Sequence, residues 1–242
     1  MNGLLKWTFY GCLVLLPLSC WQRDTFVADL EVLTPVELPP AQSPVHVAPF
    51  DVLVNDIRYQ IEPLHDYELY GLVVSFAQHN GERLLHRSWN DHLNVADVCV
   101  VWGRNASELD LNAFEFRNGQ FTCFFRTRDS EAWRRFDLSA LANNHLISDD
   151  DYLRDRIGQL EIGDQIRISG WLASYRQGDG FQRGTSTTRD DTGNGACETI
   201  YVRDFEILSR MRSPWRMAFD VSAFGVFSLA FFWVWRVVRS GG

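Results

Sequence analysis

Lysine is almost missing from this chain of 242 residues, and basic charge is scarce between its two ends. Residues 24–209 contain 30 Asp and Glu against 16 Arg and no Lys, which gives a formal charge of −14. Proteins that bind nucleic acid use Lys and Arg to neutralise phosphates and release counterions. The composition therefore predicts that nucleic acid is not a partner.

The chain also lacks the motifs that mark common metal sites. His79, His86 and His92 follow one another at intervals of seven and six residues, whereas zinc ligands usually include a pair about two to five residues apart. Residues 149–151 are three consecutive Asp, without the alternating ligands, central glycine and distal Glu of a calcium loop. We expect no metal and no cofactor.

Cysteine is infrequent, with five in the chain. Cys12 and Cys20 lie in or beside an apolar segment, and Cys99, Cys123 and Cys197 belong to the central region. Three is an odd number, so one internal disulfide would leave a thiol over. Cys99 and Cys123 lie in two strand-like runs, and either they pair or all three are small buried apolar side chains.

Two long apolar runs bracket the acidic region. The first extends from about residue 7 to 21, after Lys6, and is short for a membrane span. It is a cleaved signal, an uncleaved anchor, or a lipoprotein signal that ends at Cys20. The second extends from about residue 217 to 238 and has no charge between Val221 and Trp235. This second run predicts a transmembrane helix, with a buried helix of a soluble protein as the alternative.

The orientation in the membrane is not decided by charge, because the basic residues on the two sides balance. A long acidic domain is translocated largely regardless of flanking charge, and the signal-like start favours export. We therefore expect a bacterial inner-membrane protein with a periplasmic domain. The predicted divisions are an N-terminal signal or anchor helix (1–24), a Pro-rich linker (25–49), a β-rich domain (50–209) and a C-terminal transmembrane helix with flanking Arg (210–242).

The linker contains five of the eight prolines, which favours extended backbone. It is either a semi-rigid spacer or a loop along the domain surface. After it, alternating and continuous apolar runs predict strands. These runs lie at residues 50–54, 57–61, 67–76, 95–102, 165–172 and 199–208, and a hairpin with Asn118-Gly119 as a type I′ turn is predicted between 114 and 125.

Two short helices are predicted among these strands. Ser148 and the acidic residues after it form an N-terminal capping pattern, and Leu153, Ile157 and Leu160 share one helical face. Residues 131–142 are a second candidate. The predicted fold is mainly β, a small Greek-key barrel or sandwich of the OB-like kind, flanked by hydrophobic N- and C-terminal helices.

Several strand patterns resemble those of oligonucleotide/oligosaccharide-binding-like barrels, over about two thirds of the domain. The resemblance implies a fold and no particular ligand. The patterns are Tyr67-x-Leu-x-Gly-x-Val-x-Ser75, Phe121-Thr-Cys-Phe124, Leu160-x-x-Gly-Asp-x-Ile-x-Ile-x-Gly170 and the closing run 199–208.

Three further segments resemble an uncharacterised family of bacterial exported or membrane-anchored proteins. This resemblance implies a location in the cell and no chemistry. The segments are Asp97-Val-Cys-Val-Val-Trp-Gly103, Asn143-Asn-His-Leu-Ile147 and Asp191-Thr-Gly-Asn-Gly-Ala-Cys-Glu198.

Candidate catalytic residues are Cys197, His145 and Glu198, as a thiol nucleophile, a base and an orienting acid. Cysteine catalysis needs a lowered thiol pKa, and a glycine-rich turn before Cys197 would expose it. The alternative is a buried cysteine at the start of the last strand.

Candidate ligand-binding residues lie in the small, polar loop after residue 182, where a barrel would place a binding loop. They are Arg183, Thr185, Arg189 and Asp191. Ordinary turn chemistry is the alternative explanation of this loop.

These observations predict a membrane-anchored extracytoplasmic binding or assembly module of the bacterial envelope. Its expected partners are membrane lipid and a membrane protein that contacts the C-terminal helix. The alternative is a thiol-dependent enzyme that uses Cys197 with His145.

Overall fold

The computed structural model describes residues 3–79, 91–119, 122–178, 180–188 and 197–240. The chain divides into two compact units. One combines residues 1–30 with residues 211–242, and the other is formed by residues 31–210.

The first unit consists of two apolar helices, α1 (Gly3–Gln22) and α5 (Pro214–Ser240). Both are long and apolar enough to cross a membrane, judged by length and composition. The predicted terminal hydrophobic helices are therefore present.

Helices α1 and α5 pack against each other in antiparallel directions. Gly225 lies at the contact, where a Cβ would be 2.7 Å from Cys12 Sγ. Ser222 is fully buried beside it. Asp24, just after α1, forms a 3.3 Å ion pair with Arg216 in the first turn of α5. Small residues at a helix contact allow the close backbone approach that is typical of membrane helix pairs.

The second unit is β-rich. Its strands are β1 (Ala41–Pro44), β2 (Phe50–Val54), β3 (Ile57–Gln78), β4 (Asn94–Val101), β5 (Phe114–Asn118), β6 (Cys123–Thr127), β7 (Leu141–Ile147), β8 (Gln165–Arg176), β9 (Gln182–Arg183) and β10 (Cys197–Ser209). Its helices are α2 (Arg104–Ser107), α3 (Ser130–Arg135) and α4 (Asp151–Ile157), with 3₁₀ turns at Thr34–Glu37, Leu111–Ala113 and Leu138–Ala140.

Eight strands form one mixed sheet, in the order β1-β3-β4-β7-β10-β8-β9, with β2 beside β3. Strand β8 also pairs with β3, so β3, β4, β7, β10 and β8 are joined in a closed ring of pairings. The β7–β10 pair is parallel and the other pairs of the ring are antiparallel. The β-rich part of the fold prediction is confirmed at this level.

The main core is formed by side chains from all five ring strands together with α4 and Leu160. Leu153, Ile157 and Leu160 pack into it, as their helical spacing predicts. Asp150 is the N-cap of α4, since its carboxylate accepts from the backbone N–H of Tyr152 and Leu153. The predicted helix is present, and its N-cap lies two residues after the expected one.

Strand β3 unites two predicted strands into one of 22 residues. Its hairpin with β2 turns at Asn55 and Asp56, both with positive φ, as in a two-residue type I′ turn. The Pro-rich segment contributes β1, which pairs with β3, and the fully buried Val36. This part of the segment lies along the domain surface, which is the second of its two alternatives.

The hairpin β5–β6 forms a separate two-stranded sheet. Asn118 still pairs with Cys123, so the connection consists of residues 119–122 and the prediction of a two-residue Asn118-Gly119 turn is wrong. A disulfide between Cys99 on β4 and Cys123 on β6, with Cα atoms 5.7 Å apart, ties the hairpin to the main sheet.

Candidate functional site

A buried polar cluster lies on the side of β4 and β7 that faces away from the main core. Asp97 of β4 and His145 of β7 are directly opposite each other in the antiparallel register. His145 Nδ1 contacts Asp97 Oδ1, and His79 Nε2 lies 3.0 Å from Asp97 Oδ2. The side chains of Asp97 and His145 are almost completely buried. The main core lies on the other side, against Ala142 and Leu146 of the same strand.

Arg183 of β9 completes this cluster, since its Nη2 lies 2.9 Å from His145 Nε2. A guanidinium has no acceptor atom, so it must donate and Nε2 must accept. His145 is therefore neutral, with its proton on Nδ1 and directed at Asp97. Pairing of an ionised carboxylate with the Nδ1 proton fixes the orientation of an imidazole.

The cluster shifts the acid–base equilibria of its members. Burial lowers the pKa of His145, and the Arg183 charge lowers it further against the opposing effect of Asp97. Burial alone would raise the pKa of Asp97, but hydrogen bonds from His145 and His79 outweigh it and hold that pKa well below its usual value. Asp97 is thus ionised and His145 neutral at neutral pH.

Cys197 lies at the edge of the cluster, opposite Asn143 in the parallel β7–β10 register. The Asn143 amide lies 3.5 Å from His145 Nε2 and 3.9 Å from Cys197 Sγ. Burial raises the pKa of the Cys197 thiol to about 11, so the thiolate needed for nucleophilic attack is scarce at neutral pH. Glu198 is opposite Asn144 and its side chain lies on the other face of β10. The structure brings Cys197 and His145 onto adjacent strands and places Glu198 away from them.

The candidate ligand-binding loop is held against the start of β10. Thr185 Oγ1 accepts from the backbone N–H of Thr199, and Thr199 Oγ1 donates to the Gly184 carbonyl. Arg183 is buried in the cluster and Thr185 is used in these backbone contacts. Arg189 and Asp191, like His86, lie outside the described residues.

Sequence reasoning missed Asp97, His79 and Asn143 as members of this cluster. The sequence predicts no strand over 141–147, and the helix candidate 131–142 is wrong beyond Arg135, where α3 ends before β7 begins at Leu141. Asn143, Asn144 and His145 interrupt the apolar pattern of this strand, so no local signal in the sequence reveals it. Within the described ranges, no group of three or more His, Cys, Asp or Glu side chains is arranged to hold a metal ion.

An aromatic cleft lies on the outer side of β8 and β10. The rings of Trp171 and Tyr201 are nearly parallel with centroids 5.9 Å apart, and Phe50 meets both edge-on. The Arg203 guanidinium lies 4.4 Å from the centre of the Trp171 ring. Asp149 accepts from the Tyr201 hydroxyl at the rim. Aromatic rings with Arg are the composition enriched at the centres of protein interfaces.

Comparisons with family models, with curated proteins and with solved structures found no match to this chain. The resemblance to an uncharacterised exported family stays a prediction.

Proposed function

We propose that this chain is a membrane-anchored binding or assembly module of the bacterial envelope, with its β-rich domain in the periplasm. The observation that carries the proposal is the antiparallel pair of apolar helices at the two ends of the chain. Asp24 and Arg216 join the end of α1 to the start of α5, so both connections to the domain leave the pair at the same end. A domain inserted into such a pair is held to one side of a membrane.

The disulfide supports export of the domain. Disulfides persist in the periplasm and outside cells, whereas the bacterial cytosol keeps thiols reduced. Cys99–Cys123 joins two separate sheets and is part of the domain architecture. A cytoplasmic domain would have to fold without it.

The order of the ring supports an OB-like barrel. Five strands pair in the cyclic order β3-β4-β7-β10-β8, and α4 lies in the chain between the third and fourth ring strands. A five-stranded Greek-key barrel is likewise closed by strand pairing, and side chains fill its interior. The fold assigns no ligand by itself.

Two surfaces are available for binding. One is the aromatic cleft formed by Phe50, Trp171, Tyr201 and Arg203. The other is the exposed apolar face of α5, which includes Phe224, Phe227 and Phe231. In a bilayer that face contacts lipid or the helix of a membrane-protein partner.

Anchoring is tested with a disulfide between the two helices. Gly225→Cys places a Cβ 3.5 Å from Cys12 Cβ, a separation at which disulfides form. In membranes, oxidation is expected to link α1 to α5, so that the two ends stay joined after one proteolytic cut in the domain outside the loop closed by Cys99 and Cys123. Phe224→Cys, on the exposed face, is the matched control and is expected to give no link.

The same experiment separates the three alternatives for the first apolar segment. A cleaved signal or a lipoprotein processed before Cys20 has lost Cys12 and cannot form the link. Topology has a separate readout: alkaline phosphatase fused after Ser209 is expected to be active. An active cytoplasmic reporter at that position, with inactive phosphatase, would contradict export.

Binding is tested with a photo-crosslinking amino acid in the aromatic cleft. The group is placed at Trp171 in the full chain in cells, with Arg58, an exposed β3 position outside the cleft, as the control. A discrete protein adduct at 171 that is missing at 58 is the expected result. Equal adducts at both positions, or none at 171, would count against a binding role for the cleft.

The thiol enzyme remains a second candidate, favoured by the contacts of Asn143 with both Cys197 and His145. The raised thiol pKa and the contact of Arg183 with His145 Nε2 give it less support. Cys197→Ser distinguishes the two functions. A binding module keeps its cellular activity in this variant, and an enzyme that depends on the thiol loses it.

A further inference from the structure

Residues 182–188, the strap, cover the start of β10. The Ser186 backbone N–H donates to the Cys197 carbonyl at 3.0 Å, and Thr199 N–H donates to Thr185 Oγ1 at 2.9 Å. Gln42 reaches the strap from β1 and donates to the Thr187 carbonyl. These are neutral hydrogen bonds, each of modest net strength.

The charged attachment of the strap is Arg183, which lies at its beginning. Its guanidinium donates to His145 Nε2, and His145 in turn donates to Asp97. This contact requires an unprotonated Nε2, because Arg can only donate. A proton on Nε2 would remove the acceptor and set two cations against each other in a buried site.

Other groups face this histidine from the surrounding elements. His79 contacts Asp97 from the end of β3, and Tyr175 of β8 hydrogen-bonds to Arg183. Tyr175 also donates to Asp91. The titratable and charged groups of the described residues around His145 are therefore His79, Asp91, Asp97, Tyr175, Arg183 and Cys197.

We propose that Asp97, His145 and Arg183 form a proton-sensitive latch that holds the strap on β10 at neutral pH and releases it on acidification. Release exposes the first residues of β10, including Cys197. The latch does not depend on the proposed function, since it follows from the hydrogen-bond roles of its three side chains.

The sign of the effect follows from linkage. In the closed state burial and Arg183 disfavour protonated His145, so its pKa is lowered. In the open state Arg183 no longer faces His145 while Asp97 still does, so the pKa of His145 is higher than in the closed state. The open state therefore takes up a proton that the closed state rejects, and the opening constant rises as the pH falls, by up to about tenfold for each pH unit.

Hydrogen exchange of the full chain in detergent micelles measures this opening. Exchange of the strap and of the first residues of β10 is followed between pH 5 and pH 7.5 and corrected for the intrinsic pH dependence of amide exchange. The expected result is a loss of protection as the pH falls, confined to these segments, while the ring strands stay protected. Protection of the strap that is independent of pH overturns the proposal.

The matched variants identify the titrating group. His145→Gln retains a donor and an acceptor and does not titrate, so its strap protection is expected to be independent of pH. His145→Asn is the second variant, should Gln not fold in the site. His46→Asn removes an exposed histidine elsewhere and is expected to keep the wild-type pH dependence of strap protection. If strap protection still depends on pH in the variants that lack His145, another group titrates and the latch is overturned.

Discussion

Replacement of Asp97 by Asn tests whether the buried cluster stabilises the domain. Asp97 is almost completely buried, with one carboxylate oxygen against His145 Nδ1 and the other 3.0 Å from His79 Nε2. Asn offers one acceptor and one donor, so one histidine loses its partner and Arg183 loses its balancing charge. Removal of one member of a buried charge network costs about 3–5 kcal/mol. At about 2–4 °C for each kcal/mol, the melting temperature is expected to fall by roughly 6–20 °C.

The control is Asp51→Asn, which removes an exposed carboxylate paired with Arg58 at 3.1 Å. Exposed pairs contribute about 0–1 kcal/mol, so a shift of a few degrees at most is expected. Thermal and urea unfolding of both full-length variants in the same detergent measure the difference. An Asp97→Asn variant that is no less stable than Asp51→Asn would refute a stabilising role for the buried cluster.

Three further outcomes are expected. Gly170→Ala is expected to lower the free energy of unfolding by about 3 kcal/mol or more, because a Cβ there meets a carbonyl oxygen of β10. In the control Gly184→Ala the new Cβ enters open space, so the free energy of unfolding is expected to stay nearly unchanged. Cys123→Ser removes a disulfide with a sequence separation of 24 residues and is expected to lower the free energy of unfolding by about 3 kcal/mol through loop-closure entropy. A double variant that lacks both Cys99 and Cys123 should lose little more. The midpoint of urea unfolding is expected to fall as the pH drops below about 6.5. The reason is that the pKa of His145 is lowered in the folded state, so the unfolded chain binds a proton that the folded chain does not. Midpoints that are constant between pH 7.5 and 5 would contradict this.

The strands of the ring were largely predictable, because their side chains alternate or form continuous apolar runs. Phe50–Val54 is predicted with the bounds that the structure shows, and β4 and β10 differ from their predicted bounds by one or two residues. The helix α4 was identified from one buried face and an acidic start. In these elements local pattern and tertiary packing favour the same structure.

The site was less predictable, because its geometry depends on β7. That strand carries the run Asn143-Asn-His145 in a fully buried position, and buried polar residues contradict the pattern by which strands are recognised. Sequence reasoning named His145, Cys197 and Arg183, which the fold brings into one region. It could not supply Asp97, since the pairing of β4 with β7 is a long-range contact that no local spacing reports.

The 22-residue strand β3 has a consequence for how the domain forms. It pairs with β1, β2, β4 and β8, and its partners in β8 lie about a hundred positions later in the chain. Such a high contact order slows folding, because a long loop must close before the pairing is gained. During synthesis β3 has an unsatisfied edge until residues 165–176 emerge, and residues 177–213, which include β9 and β10, lie between β8 and α5. The ring is therefore completed only shortly before the second apolar helix is synthesised, and the nascent domain exposes a long unpaired strand edge until β8 has been made.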